Sequence, residues 1–458
     1  MTYQYDLLVI GSGSSGFSAA SAAKGTGRKI GIVEEESKWG GECPNWACVP
    51  TKSLLKSAKI YRDLRHVAAH GVNVKDASID FSAVMMRRAK IVSALAGKRV
   101  EDLAEKLGIA RIKGHATFLD EHTIQVGDEQ YTSERFVIAT GAKTFVPPIP
   151  GLDKVDWIDF RKAVELNELP ASMIIVGGGP VGCEFATAYA TFGTKVTLIQ
   201  GAPRVLHREE PEMSQIAHDS LVRLGVEVHV GAEVVGASEE GGKKQIRARV
   251  GKEIIKVEAE LLLMATGKTS TTAGLGTKAA GVKLDERGTI IVNSELRTSA
   301  KNIWAAGDVN GGMRFTHTAH HEGSIAGYNT FAGKEGMKTD ERVVPRVTFV
   351  DPEIASVGLT EEQAREKVGK ILVGTFQLRG LGRAFIDGEK YGMIKIIADE
   401  KTRKILGGHV AGSRSGEMVH EIALAIYSKN KVDDLANMIH AYPTYSEGVM
   451  AAASIAIS

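Results

Sequence analysis

Tyr5-Asp6-Leu7-Leu8-Val9-Ile10-Gly11-Ser12-Gly13-Ser14-Ser15-Gly16 is an apolar run that ends in a glycine-rich turn. Alanine-rich helical spacing follows to about Lys24, and a second apolar run, Lys29 to Val33, closes on Glu34. Strand, glycine turn, helix and strand in that order predict a dinucleotide-binding βαβ unit. Gly11, Gly13 and Gly16 allow a tight turn, and with Ser14 they let backbone N–H groups approach a pyrophosphate at the helix N-terminus. One such motif is weak evidence, but this chain carries it twice. Met173-Ile174-Ile175-Val176 leads into Gly177-Gly178-Gly179-Pro180-Val181-Gly182, then a helix from Glu184 to Phe192 and a strand from Lys195 to Ile199, closing at Gln200. Glu34 and Gln200 each lie 23 positions beyond the first glycine of their motif, Gly11 and Gly177. Two units imply two dinucleotides.

The closing residues differ in charge. Glu34 can accept both hydroxyl hydrogen bonds of an adenosine ribose and would repel a 2′-phosphate. Gln200 is neutral and leaves a phosphorylated ribose open, with Lys195 and Arg204 as candidate cations. The second nucleotide is therefore NADPH or NADH, with a slight lean to NADPH.

Downstream of the first unit stands Gly40-Gly41-Glu42-Cys43-Pro44-Asn45-Trp46-Ala47-Cys48-Val49-Pro50-Thr51-Lys52. The chain holds only three cysteines, so two this close point to a thiol couple rather than to two packing residues. Cys183 has no cysteine neighbour in sequence and reads as core. Net charge is +2, which recruits neither nucleic acid nor anionic lipid. No apolar run approaches a membrane span. Met1-Thr2-Tyr3-Gln4 runs straight into the first strand without a signal pattern, and with few cysteines this predicts a reducing, cytoplasmic setting. No resident metal site is expected.

Thr51 to His70 and Phe81 to Gly108 show helical spacing. Arg111 to Val126 alternates like a hairpin pair with Asp120-Glu121-His122 as its turn. Phe136-Val137-Ile138-Ala139-Thr140-Gly141 reads as a buried strand ending in a glycine turn, and recurs as Leu262-Leu263-Met264-Ala265-Thr266-Gly267. Pro147, Pro148 and Pro150 mark a linker. Asn302 to Ala306 is another buried strand, ending at Gly307-Asp308. From about Pro345 the chain reads as strands with two helices and no phosphate loop. The expected division is 1–145, 146–268, 269–343 and 344–458, the third segment returning to the first domain.

These motifs together resemble the flavin-dependent pyridine nucleotide–disulfide oxidoreductases, a family that includes dihydrolipoyl dehydrogenase, glutathione reductase and mercuric reductase. The resemblance covers nearly the whole chain, including Asp351-Pro352-Glu353 at the start of the last segment. It implies an α/β fold with two Rossmann-like domains, for FAD and NAD(P), and a C-terminal α+β dimerisation domain. By that likeness Glu34, Ala116, Thr140, Gly141, Lys52 and Asp308 serve FAD, while Gly177, Gly179, Gly182, Gln200 and Gly267 serve the nicotinamide nucleotide. The implied mechanism is a relay from nicotinamide through flavin to a Cys43–Cys48 disulfide. Cys48 is the thiol nearer the flavin, Cys43 the outward one, and Lys52 pairs with Glu184. The family forms a homodimer whose last segment reaches into the partner's site.

That last segment departs from the family. His440-Ala441-Tyr442-Pro443-Thr444-Tyr445-Ser446-Glu447 keeps Glu447 but places Tyr442 where disulfide reductases carry a histidine. Tyrosine, with a pKa near 10, is a poor general base at neutral pH, which argues against dithiol exchange unless His440 substitutes. Mercuric reductases use a tyrosine there, yet Ala453 to Ser458 holds no cysteine pair and no metal-binding extension precedes Tyr5. Pro44 and Trp46 suggest an altered approach to the outward thiol. The leading expectation is an NAD(P)H-dependent FAD oxidoreductase acting on a small disulfide, a metal ion or an oxidant. Dihydrolipoyl dehydrogenase is the alternative, and a flavoprotein subunit with mainly a binding role is the alternative of another class.

Overall fold

The computed structural model describes residues 3–25 and 27–458, so Met1 and Thr2, where the first domain and the N-terminal reading were expected to begin, lie outside the described residues, as does Thr26. Strand Tyr5–Ile10 is the hub of the first sheet. It pairs in parallel with Ile30–Glu34 on one side and with the second half of Glu129–Ile138 on the other. Ala110–Lys113 extends the sheet beyond Ile30–Glu34, and Ile303–Ala305 extends it beyond Glu129–Ile138. Leu7, Leu8, Val9, Phe136, Val137 and Ile138 are fully buried, as continuous apolar runs become when helices cover both faces of a parallel sheet.

The stretch from Arg111 to Val126 is not one hairpin. Ala110–Lys113 runs parallel to its neighbour as a sheet edge, and only Ala116–Phe118 with Thr123–Val126 is antiparallel. The turn is where it was expected, with the His122 N–H donating to Asp120 Oδ1 at 2.7 Å.

The second sheet repeats the first sheet's order: Glu227–Val230, Lys195–Gln200, Ser172–Val176, Leu261–Met264, all parallel. In both sheets the strand order reverses beside the first strand, which opens a crevice at the carboxyl ends. A three-stranded antiparallel sheet, Ala232–Glu240, Lys243–Val250 and Glu253–Ala259, accompanies the second.

The C-terminal segment is a five-stranded antiparallel sheet of Arg346–Thr348, Ile354–Gly358, Ile405–Ala411, Met393–Asp399 and Ile371–Gln377. Its helices exceed the two expected: Glu361–Val368, Gly382–Asp387, Ser415–Tyr427, Val432–Asn437 and Glu447–Ile457. Gly382–Asp387 and Val432–Asn437 are six residues each, too short for a helical period to show in sequence.

Helix Cys48–Asp63 packs against helix Pro180–Phe192. Trp46, Leu54 and Phe81 share one core with Phe185, Tyr189 and Phe192, so the cysteine-bearing segment is wedged between the two dinucleotide units. The helix expected to run from Thr51 to His70 ends at Asp63, and a short 3₁₀ turn, Val67–His70, follows it. Among the described residues no helix is long and apolar enough to cross a membrane.

Candidate active site

Both glycine motifs build the same cradle. Gly11 and Gly177 have φ of +106° and +114°, and a Cβ on either would lie 2.3 or 2.2 Å from the carbonyl oxygen of Ala139 or Ala265. A Cβ on Gly16 or Gly182 would lie 1.9 or 1.8 Å from the carbonyl oxygen of the motif's own first glycine. Only glycine fits at these four positions. Helices Ser14–Lys24 and Pro180–Phe192 begin after Gly13 and Gly179 with no side-chain cap, leaving first-turn N–H groups for an anion.

The closing residues clasp these turns. Glu34 accepts the Ser12 N–H at 2.8 Å and the Glu36 N–H at 2.9 Å. Gln200 Oε1 accepts the Gly178 N–H at 2.9 Å, and its Nε2 donates to the Arg204 carbonyl at 3.2 Å. A carboxylate has about four acceptor positions, so Glu34 keeps capacity for ribose hydroxyls. Lys195 is at the opposite end of its strand from the glycine turn and does not line the cleft, which corrects its assignment as a candidate cation; Arg204 and Arg208 do line it.

A cleft of about 2690 Å³ runs through both cradles. Glu34, Ala116, Thr140, Gly141 and Asp308 line the first unit's part, and Gly177, Gly179, Gln200 and Gly267 line the second's. Thr140 Oγ1 donates to the Thr271 carbonyl at 2.6 Å. Burial raises the Asp308 carboxyl above the usual range against the pull of Lys268, whose Nζ is 3.8 Å away. Glu322 secures the turn before and after Asp308, accepting the Gly307 N–H at 2.6 Å and Asn310 Nδ2 at 2.7 Å. An uncapped helix start, two positions that exclude a Cβ and a carboxylate at the strand end fit an FAD in the first unit.

The cysteines lie on the cleft wall. Cys43 belongs to the short helix Glu42–Asn45, and Cys48 is the first residue of Cys48–Asp63. Asn45 fixes the short helix by donating to the Trp39 carbonyl at 3.0 Å and the Gly41 carbonyl at 2.8 Å. Both thiols are free and half-buried. A hydrogen bond from Cys43 is the largest influence holding the Cys48 thiol down, to about 6; Thr316 and Lys52 assist, against burial and Glu184. Cys43 is pushed up by the same shared bond and by burial. The helix start beneath Cys48 also favours its anion. Lys52 Nζ pairs with Glu184 at 2.7 Å one turn below Cys48, and Glu184 also accepts the Phe349 N–H at 3.0 Å. Cys183 is fully buried and donates to the Gly178 carbonyl at 3.4 Å, a core residue as read.

Several contributors left no motif. Thr316 Oγ1 is 3.3 Å from Cys48 Sγ, and its carbonyl accepts from Ser14 Oγ at 3.1 Å, joining the thiol to the first glycine turn. Glu42, next to Cys43, pairs with Lys268 and with Arg161 at 3.2 Å. Lys38 Nζ and the Arg161 guanidinium lie over the Trp46 ring at 5.3 and 4.6 Å. Lys268 directly follows the second Ala-Thr-Gly turn, the one signal that could have drawn attention to it.

Within one chain the final segment does not reach the cysteines. Tyr442 is 78% exposed, and neither it nor Glu447 lines the cleft. Glu447 accepts the Thr444 N–H at 2.8 Å. His440 faces acceptors on both ring nitrogens, Glu421 Oε1 at 2.7 Å and the Met438 carbonyl at 3.0 Å.

Residues 5–323 match the pyridine nucleotide-disulphide oxidoreductase family and residues 344–453 match its dimerisation domain. The chain is 39% identical to a dihydrolipoyl dehydrogenase of Chlorobaculum parvum over 464 aligned residues, covering 99% of this chain and 97% of that one. It is 34% identical to a mercuric reductase of Bacillus cereus over 447 residues, covering 98% of this chain and 70% of the relative. The HOCl-induced flavoprotein disulfide reductase RclA of Escherichia coli superposes with a TM-score of 0.89 at 30% identity, covering 98% of this chain and all of the other, and has also been solved as a Cu(II) complex. Paired cradles, a thiol couple between them and agreement along nearly the whole length lead to one conclusion: the chain belongs to the pyridine nucleotide–disulphide oxidoreductase family, whose members use FAD and NAD(P)H.

Proposed function

We propose that this protein is an NAD(P)H-dependent reductase in which the Cys43–Cys48 couple delivers two electrons to a small acceptor: a disulfide, a metal ion or a reactive oxidant. The observation that carries this reading is the asymmetry of the couple. The hydrogen bond from Cys43, with Thr316 Oγ1, Lys52 and the helix start beside it, holds the Cys48 thiol down while Cys43 is pushed up. That arrangement suits Cys48 taking electrons from the cofactor side and Cys43 meeting the acceptor. FAD, when bound, carries two electrons between the nicotinamide and the sulfur pair. This chain's residues do the rest. The first-turn amides of Ser14–Lys24 and the Glu34 carboxylate hold the dinucleotide, Lys52 offsets the Cys48 charge, and Glu184 with Phe349 fixes Lys52 in place. Each cycle takes up two electrons and one proton to open the Cys43–Cys48 disulfide into a Cys43 thiol and a Cys48 thiolate, and closes it again, releasing that proton, as the acceptor takes the two electrons.

Two features direct the choice of acceptor. Tyr442 is a poor proton acceptor, and His440 is occupied by Glu421 and Met438, which disfavours dithiol exchange. The Cu(II) complex of RclA and the mercuric reductases among the relatives support a metal ion, and the induction of RclA by HOCl is compatible with a role under oxidant stress. The dimerisation domain supports a homodimer, in which Tyr442 and Glu447 of a second copy complete the site. The neutral clasp at Gln200, with Arg204 and Arg208 on the cleft wall, supports NADPH over NADH.

Anaerobic titration with NADPH and with NADH tests the scheme. The expected result is a two-electron reduced protein with long-wavelength thiolate absorbance, and Cys48→Ser abolishes both that absorbance and acceptor turnover. Colourless protein without FAD, or a serine variant with unchanged turnover, overturns the reading. Brisk NAD+-dependent oxidation of dihydrolipoamide at neutral pH assigns the protein to the dihydrolipoyl dehydrogenases instead.

A further inference from the structure

Strand Lys195–Gln200 is followed by a loop, residues 201–210, that forms one wall of the second cradle. Its inner side rests on the glycine turn: Leu206 N–H donates to the Gly178 carbonyl at 2.8 Å, and Gln200 Nε2 donates to the loop's Arg204 carbonyl at 3.2 Å. Its far end enters the C-terminal sheet. Glu209 takes a two-pronged pair from Arg346, at 2.7 and 3.2 Å, and accepts from Ser356 Oγ at 2.5 Å. Glu210 pairs with Lys395 at 2.9 Å, and the same ammonium reaches Glu212 at 2.6 Å and Glu361 at 3.2 Å.

Lys395 and Glu210 have side chains only 2% exposed. Burying an ammonium is unfavourable unless carboxylates surround it, and here three do, two of them from the nucleotide unit. Lys395 lies on strand Met393–Asp399 on the face opposite to the core residues Ile394 and Ile396, across from His409, so its ammonium is turned toward the nucleotide unit. A buried ion pair is weak as a source of stability, but it tolerates few alternative arrangements of the groups it joins. The groups joined are the wall of the nucleotide cleft and the central sheet of the dimerisation domain.

We propose that Lys395 is a positioning residue for the nicotinamide nucleotide: it fastens loop 201–210 in the nucleotide-accepting position, so the C-terminal domain sets nucleotide affinity. The inference rests on the reading of the second cradle as the NAD(P)H site. A loop held in its competent state forfeits no affinity to alternative states. Released, with the competent fraction at about one tenth, it raises the apparent Kd about tenfold.

The test uses the FAD-loaded protein with three changes: Lys395→Met; the double change Lys395→Met with Glu210→Gln, which removes both buried charges together; and Glu212→Gln, at the half-exposed partner. The oxidised protein is titrated with NADP+ and NAD+ by fluorescence quenching, and KM and kcat are measured with NADPH and NADH. The expected result is a Kd and KM raised about tenfold in the lysine variants, and less in Glu212→Gln, with kcat, FAD content and oligomeric state unchanged. Lys395→Arg, which keeps the charge, restores most of the affinity. Nucleotide affinity unchanged in every variant that folds overturns the proposal. So does a loss that falls equally on FAD content and dimerisation, or one that arginine fails to repair. Wild-type protein that binds neither nucleotide overturns the functional reading itself, a result distinct from all of these.

Discussion

Cys48 and Cys43 are the same residue type five positions apart, yet their surroundings split them into an anion and an acid. Hydrogen bonds from Cys43 and Thr316, the Lys52 ammonium and the helix start all favour charge on Cys48. In the reduced protein, the thiolate absorbance of Cys48 is therefore expected to persist at neutral pH and to vanish as pH falls through about 6. Lys52→Met removes one attraction and moves that midpoint upward by about one unit; a spectrophotometric titration in which the variant matches wild type would contradict this. The cysteines, Lys52 and Glu184 were legible in sequence because each sits in a motif. Thr316 was not, since it meets Cys48 across 268 residues and no local pattern encodes that contact.

Helix Thr316–Asn329 shows how much an element does beyond its motif. It presents Thr316 to the thiol at one end, and nearly two turns further along it presents Glu322 to the Gly307 and Asn310 donors. Burial raises the Glu322 carboxyl to about 8, aided by a hydrogen bond with Glu341. The folded chain thus keeps a proton that the unfolded chain releases near the usual glutamate value of about 4.3. Stability on this account is greatest below that value, falls as pH rises, and levels off above about 8. Glu322→Gln keeps the acceptor and donor and flattens the slope, gaining on the order of a few kcal/mol over wild type at alkaline pH. Thermal melts across the pH range check this; parallel curves would refute it. The Gly307-Asp308 turn was readable beforehand, whereas the carboxyl beneath it was not, because a lone glutamate on a helix looks like solvated surface. The edge strand Ala110–Lys113 was misread for a related reason. Half-buried edges alternate in the same way whether their partner runs parallel or antiparallel.

On the scale of the molecule, the two sheets built on parallel βαβ units and the C-terminal antiparallel sheet all contribute to the wall of the large cleft, and the presence of the first two could be read from the repeated glycine motifs. What could not be read was the fastening between them, because Lys395, Arg346 and the glutamates of loop 201–210 are ordinary charged residues until the fold buries them. The C-terminal domain also leaves Ile439 95% exposed beside Tyr442, with Phe385 and Leu424 open as well. If a second copy covers Ile439, Ile439→Asp yields a monomer by sedimentation that keeps FAD and loses acceptor turnover; a dimer that persists at full activity would place the interface elsewhere. The segment bearing both thiols also carries Trp46, its indole under two cations and between the two sulfurs in sequence. Opening or closing the sulfur–sulfur bond changes the charge around that ring, so the protein's own ultraviolet emission follows its redox state without an added dye.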